Sequence, residues 1–189
     1  MQLLTRKFTT TQYHQMAQMG IFAPDERIEL ILGEIITMSP IGLKHLAMVN
    51  RLGNLFPLQL MGRAIVSSQN PIRLNDFSEP QPDLALLKPR ADFYASKLPE
   101  PTDCLLLIEV ADSSLRYDQE IKAPLYAKNQ IQDYWLIDVE NNRVEVYRDP
   151  QANGYQSKVV LQSGQTVSPL VFPDLVLSYE DFFGSATVA

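Results

Sequence analysis

The stretch that most constrains this chain is LLLIEVADSS, residues 105–114, where a carboxylate, Glu109, stands inside a run of hydrocarbon side chains. Leu105, Leu106, Leu107 and Ile108 before it and Val110 after it describe a strand covered on both faces, as in the middle of a mixed or parallel sheet. An ionised glutamate buried there loses its hydration, at a cost of at least several kcal/mol unless a cation compensates it. Glu109 therefore requires a metal ion, a lysine or a proton.

The flanking segments say what kind of sheet this is. DYWLIDV, 133–139, is a second strand, and the residues between contain a helical face of Tyr117, Ile121 and Leu125 with Asp118 as an N-cap. A strand, helix, strand unit of this length is a right-handed crossover between parallel neighbours. Lys122 falls near the start of that helix. Asn141-Asn142 turns the chain into RVEVYRD, 143–149, whose alternation predicts a half-exposed antiparallel strand near the sheet edge, and Asn153-Gly154 opens another through YQSKVVL.

Upstream, Thr9 to Thr11 cap a short helix through Tyr13, Met16 and Met19 that Gly20 ends, and IELILGEII, 28–36, forms two strands about a turn at Gly33. Apolar residues from Gly42 to about Met61 recur at helical spacing, with Pro57 expected to kink or shorten the helix. AIVSS, 64–68, and PIRL, 71–74, are expected strands. The loop NDFSEPQP then delivers Pro82-Asp83 into the apolar strand LALL, a second carboxylate at the mouth of a buried strand. Residues 88–103 are expected to form a loop with one helical turn, either a solvated connection or the wall of a cleft. Ser178 and Asp181 pair as caps of a last helical turn.

With 189 residues the chain suits one domain, 1–189, with 1–24 as a helical arm and 150–189 as a strand and short-helix extension. No apolar run approaches the ~20 residues of a membrane span and the N-terminus lacks a signal peptide's pattern, so a cytoplasmic protein is expected. The single cysteine, Cys104, excludes a thiolate zinc cage and fits as a small core residue. The net charge of −6 argues against broad non-specific adhesion to nucleic acid but leaves room for a local cationic groove. Glycine-rich phosphate loops and the serine-hydrolase elbow are absent.

Asp83 and Glu109 can converge if their strands are neighbours, and a hard cation such as magnesium binds through one or two carboxylates while keeping several waters. Lys122 would then neutralise charge on a phosphate. The competing explanation of the same residues is a structural Glu109–Lys122 ion pair. His45, in the first turns of its helix, is by itself more typical of a hydrogen-bonded structural histidine than of a ligand.

The order IELILGEII, SPIGLKH, Pro82-Asp83-Leu-Ala, IEVADSS and YDQEIKAPLYAKNQIQDYWLIDVENNRVEVYR resembles the "putative restriction endonuclease" family abundant in cyanobacteria, a branch of the PD-(D/E)XK nuclease superfamily. The resemblance spans nearly the whole chain. It implies an α/β (mixed α+β) fold with a restriction-endonuclease-like core, a mixed central sheet flanked by helices in α-β-β-β-α-β order. It also implies a Mg2+- or Mn2+-dependent endonuclease acting on DNA. Asp83 and Glu109 match the motif acids, Glu29 the acidic residue of the N-terminal part that joins the metal site, with Glu34 as the other candidate. The superfamily lysine is expected two residues after the glutamate, where this chain has Ala111. In this branch the lysine looks displaced to Lys122. His45 and Tyr126 match further recurrent positions. The alternative function is a catalytically silent binding or assembly module retaining the fold. A homodimer would suit an enzyme making two cuts across a duplex.

Overall fold

The computed structural model describes residues 5–184; the outermost residues of the predicted arm and C-terminal extension lie outside the described part. Chain order is α1 (Thr10–Gln18), the hairpin β1 (Ile28–Ile31) and β2 (Glu34–Thr37), α2 (Leu43–Leu60), β3 (Ile65–Ser68), β4 (Leu84–Leu87) and β5 (Cys104–Ala111). A continuous helical segment follows: α3 (Leu115–Tyr117), a π-helical turn (Asp118–Lys122) and α4 (Ala123–Lys128). Then come β6 (Asp133–Asp138), β7 (Arg143–Gln151), β8 (Gly154–Leu161), the short pair β9 (Thr166–Val167) and β10 (Leu177–Ser178), and α5 (Tyr179–Phe183).

Six strands, β3 to β8, form one sheet in chain order. All neighbours are antiparallel except β5 and β6, which the helical crossover makes parallel, with Glu109 opposite Leu136. From α2 to β6 the order is the α-β-β-β-α-β implied by the resemblance. Alternation along β5 divides the core: Leu106, Ile108 and Val110 pack with Leu52, Phe56 and Leu60 of α2, while Leu107 and Ala111 pack with Leu125 and Tyr126 of α4. Glu109 therefore faces the α4 side. Trp135 and Phe182 close the α2 side, their rings 6.1 Å apart, and Tyr134 is buried on the other.

Several local expectations hold for the reasons given. Thr9 caps α1 in a reciprocal box with Gln12, and Ser178 does the same with Asp181 at α5. The β1–β2 turn places Leu32 and Gly33 at φ of 51° and 78°, and a Cβ at Gly33 would come within 2.7 Å of the Lys7 Cβ. Glycine answers both demands. Cys104 is buried and its thiol is pushed up to about 12 by burial first and then by Asp103.

Other expectations are corrected. Residues 71–74 add no strand to the sheet; they cross back over 78–80, Ile72 and Leu74 donating to Pro80 and Ser78 carbonyls, because only Ile72 and Leu74 find apolar cover. Pro57 does not stop α2, which runs on to Leu60, although the proline removes the bond to the Gly53 carbonyl. Asp118 is no N-cap: the helix begins at Leu115, and Asp118 opens the π-helical turn. β7 is antiparallel and next to the edge strand β8, as expected, but it is not half-exposed: Val144 to Tyr147 are all buried. Residues 88–103 are, as expected, a loop with one helical turn, the 3-10 turn Pro101–Asp103. They do not wall the cleft described next.

Candidate active site

The β4–β5 register fixes the first two residues. Leu84 pairs with Ile108 in an antiparallel ladder, so one step outward Asp83 comes opposite Glu109. Residues in such positions share a face with Cβ atoms about 4.5–5.5 Å apart. Asp83 is tied to the neighbouring strand, Oδ2 accepting the Val110 N–H at 2.9 Å. Its Oδ1 meets His45 Nε2 at 2.9 Å and Gln69 Nε2 at 3.2 Å. His45 comes from the first turn of α2. Gln69 follows β3 with φ of 53°, an uncommon conformation for a residue with a side chain, and its N–H donates to the Asp83 carbonyl at 3.1 Å.

Glu109 has its compensating cation. Lys122 Nζ lies 3.0 Å from Glu109 Oε1 and 3.1 Å from Glu29 Oε2, and the Tyr126 hydroxyl donates to Glu109 Oε1 at 2.6 Å. Among the described residues nothing bonds to Glu109 Oε2, and it is not one of the sealed unpartnered polar atoms, so it is the oxygen presented to the cleft. Glu29 Oε2 also accepts the Gln81 N–H. The bridge between Leu30 and Glu79 is what draws the hairpin, and with it Glu29, toward the sheet. Glu34 points elsewhere: it is exposed and pairs with Lys7.

Asp118 joins the set through the π-helical turn, a geometry frequent at functional sites. One such turn separates Asp118 from Lys122, and both are buried. Ser114 Oγ donates to Asp118 Oδ2 at 2.6 Å. Burial, opposed by Lys122 and the Ser114 hydrogen bond, holds the Asp118 carboxyl up at about 6.

Four carboxyl groups, Glu29, Asp83, Glu109 and Asp118, are thus buried around the ammonium of Lys122. Even with His45 protonated the acids outnumber the cations. Burial and then the neighbouring Asp118, Asp83 and Glu29 push the Glu109 carboxyl well above the usual range, against the pull of Lys122. Burial opposes the charge of Lys122, but Glu109, Glu29 and Asp118 outweigh it and keep the ammonium above the usual lysine range. Lys122 is a fixed cation, unsuited to act as a base at neutral pH.

These groups line a cleft of about 350 Å³ between the hairpin, the α2 N-terminus and the π-helical turn. Arg27 and Asp112 stand at its half-buried rim. The Tyr117 hydroxyl and His45 Nδ1, both on cleft-lining residues, are sealed from solvent without a hydrogen-bond partner. Among the described residues no three His, Cys, Asp or Glu side chains already form a metal cage.

A family profile described as "Putative restriction endonuclease" (Uma2) matches residues 10–180. The chain belongs to this family. Among solved structures, it is similar to a "putative nuclease belonging to DUF820" from Anabaena variabilis ATCC 29413, with a TM-score of 0.72, 20% identity, and coverage of 93% of this chain and 97% of that one. At that identity the likeness establishes the fold, the mixed sheet flanked by helices. Comparison with curated proteins finds no match. Of the residues anticipated from the family resemblance, Asp83, Glu109, Lys122, Glu29, His45 and Tyr126 all meet at this one place, five of them lining the cleft and Tyr126 bonding Glu109 from behind. Asp118, Gln69, Gln81 and Tyr117 were not singled out as site residues. Asp118 had a signal, the four-residue spacing of Asp118, Lys122 and Tyr126 along one helical face. Gln69 and Gln81 did not, because loops bring them in, and in the sequence Tyr117 of α3 reads only as part of an apolar helical face.

Proposed function

We propose that the protein is a Mg2+- or Mn2+-dependent endonuclease that hydrolyses phosphodiester bonds of DNA. The observation that supports it best is the surplus of buried carboxyl groups over cations at the open end of the β4–β5 ladder. Such a surplus requires protons or a hard cation, and oxygen donors are the ones magnesium takes. Asp83 and Glu109 are the two carboxylates that would hold it, with Glu29 available as a third. When bound, the ion supplies charge neutralisation at the phosphate and a more acidic water.

The chain's own groups then divide the work. His45 and Gln69 orient Asp83, while Tyr126 and Lys122 fix Glu109 by Oε1 and leave Oε2 to the cleft. Lys122, permanently charged, stabilises the negative charge that builds on the phosphate as water adds to phosphorus and the ester oxygen departs with a proton. Ala111 at the superfamily lysine position is compensated by Lys122, one helix further along.

The test is cleavage of supercoiled plasmid and single-stranded DNA by purified protein with each metal and with EDTA. Metal-dependent cleavage lost in Asp83→Ala supports the assignment; equal cleavage by the two proteins would reveal a contaminant. A second reading, a silent binding or assembly module, draws on the closed contact of Lys122 with two glutamates. It predicts a melting temperature indifferent to metal, whereas a metal-induced rise abolished by Asp83→Ala counts against it.

A further inference from the structure

A second cleft of about 340 Å³ adjoins the first, between α2 and the end of β3. His45 and Ile41 line both. The partition between them includes His45 and Gln69, the two side chains that bind Asp83 Oδ1. The character of the second cleft is unlike that of the first. Its lining contains no carboxylate, although the chain carries 22 acidic residues. It presents the neutral hydrogen-bonding groups of Asn50, Asn54, Ser68 and Gln69, with exposed Ile41 and Leu46 as apolar surface near the junction. Its floor includes Gly53, where a Cβ would meet nothing within 4 Å. Glycine is a costly residue inside a helix, and here no packing neighbour requires it.

Resting on the nuclease reading above, we propose that this second cleft is the subsite for the DNA strand adjoining the scissile phosphate. A strand entering the acidic cleft has to leave it, and the outlet past His45 leads into a cleft whose lining has no carboxylate to repel it. Amides and a hydroxyl bind sugar, phosphate and base edges without adding charge. Ile41 and Leu46 offer apolar surface against which a base can rest. Because His45 belongs to both clefts and Gln69 reaches from the second to Asp83, a nucleotide seated in the second bears on the groups that orient Asp83.

Gly53→Glu tests this by filling the groove with a charged side chain in otherwise open space. Binding of a fluorescein-labelled single-stranded oligonucleotide is measured by anisotropy with Ca2+ as the hard cation. Hydrolysis of bis(p-nitrophenyl) phosphate, too small to need the second cleft, is measured with Mn2+. Gln59→Glu places the same charge on α2 outside the groove as a control, and Asn50→Ala/Asn54→Ala empties the groove without altering the glycine. The expected result is oligonucleotide affinity reduced about tenfold or more by Gly53→Glu and by the double alanine variant but not by Gln59→Glu. Small-diester hydrolysis and melting temperature stay at or above the wild-type level. Wild-type oligonucleotide affinity in Gly53→Glu, or a wild type that binds no oligonucleotide, overturns the proposal. If groove variants lose binding while the wild type hydrolyses neither substrate, the subsite stands and the nuclease reading falls.

Discussion

Replacing Lys122 by methionine removes the ammonium that lies 3.0 Å from Glu109 and 3.1 Å from Glu29, while keeping most of the side-chain volume. What remains for those carboxylates is the Tyr126 hydroxyl on one and the Gln81 N–H on the other. Breaking a buried pair from one side costs about 3–5 kcal/mol, because the surviving charge is left desolvated. A chain of this size loses about 2–4 °C of melting temperature per kcal/mol, so Lys122→Met should melt roughly 6–20 °C below wild type in EDTA at pH 7.5. Calorimetry and urea unfolding measure this directly. Adding Glu109→Gln removes one of the stranded charges, and the double variant should recover at least about 1 kcal/mol in a double-mutant cycle. Divalent metal should stabilise Lys122→Met more than wild type, since the single variant has the larger charge deficit. A single variant within about 1 kcal/mol of wild type, with no coupling to Glu109, would refute the view that this cluster depends on its one lysine.

Asp118 should make stability fall as the pH rises: its carboxyl is held up at about 6, mainly by burial, against 3.8 for the free group. The folded state then binds the proton more tightly than the unfolded one, so this contribution is present below about pH 4 and lost as pH passes through 6, a span worth at most ~3 kcal/mol. Urea midpoints of wild type and Asp118→Asn between pH 4 and 7 should diverge, and parallel profiles would remove Asp118 as the source. Tyr117→Phe deletes a sealed hydroxyl with no partner and should leave stability unchanged or raise it by up to about 1 kcal/mol; a clear loss in thermal unfolding would show that the hydroxyl is bonded after all. Gly42 caps α2 with the Asp112 carboxylate 2.0 Å from where a Cβ would sit. Gly42→Ala should therefore cost roughly 1–2 kcal/mol in denaturant unfolding, with part of it recovered in the background of Asp112→Ala.

Local rules carried far along this chain wherever the controlling forces are themselves local. The capping boxes at Thr9 and Ser178 and the turn at Gly33 depend on a few neighbouring residues, and the structure has them as expected. Residues 71–74 failed the same treatment because apolar content suggested a strand while the backbone bonds of Ile72 and Leu74 go to the nearby segment 78–80 instead of the sheet. β7 alternates as a half-exposed strand would and does lie next to the sheet edge, yet Glu145 on its polar face is buried under Arg143, Lys158 and Gln119. Alternation separates the two faces of a strand, not what covers each of them.

By itself the sequence determined that Glu109 stands in a buried strand and must be compensated, and that a crossover helix bearing Lys122 follows it. Those conclusions need only strand length, hydropathy and the cost of burying a charge. Tertiary structure alone decided who compensates whom. The β4–β5 register sets Asp83 across from Glu109, the hairpin docking brings Glu29 to Lys122, and the π-helical turn aims Asp118 into the same cleft. Carboxyl groups from positions 29, 109 and 118 act on one lysine, with Asp83 beside Glu109, only because separate segments of the chain pack together there. The physical reason is that charge compensation acts through distances in space, which separation along the chain does not encode.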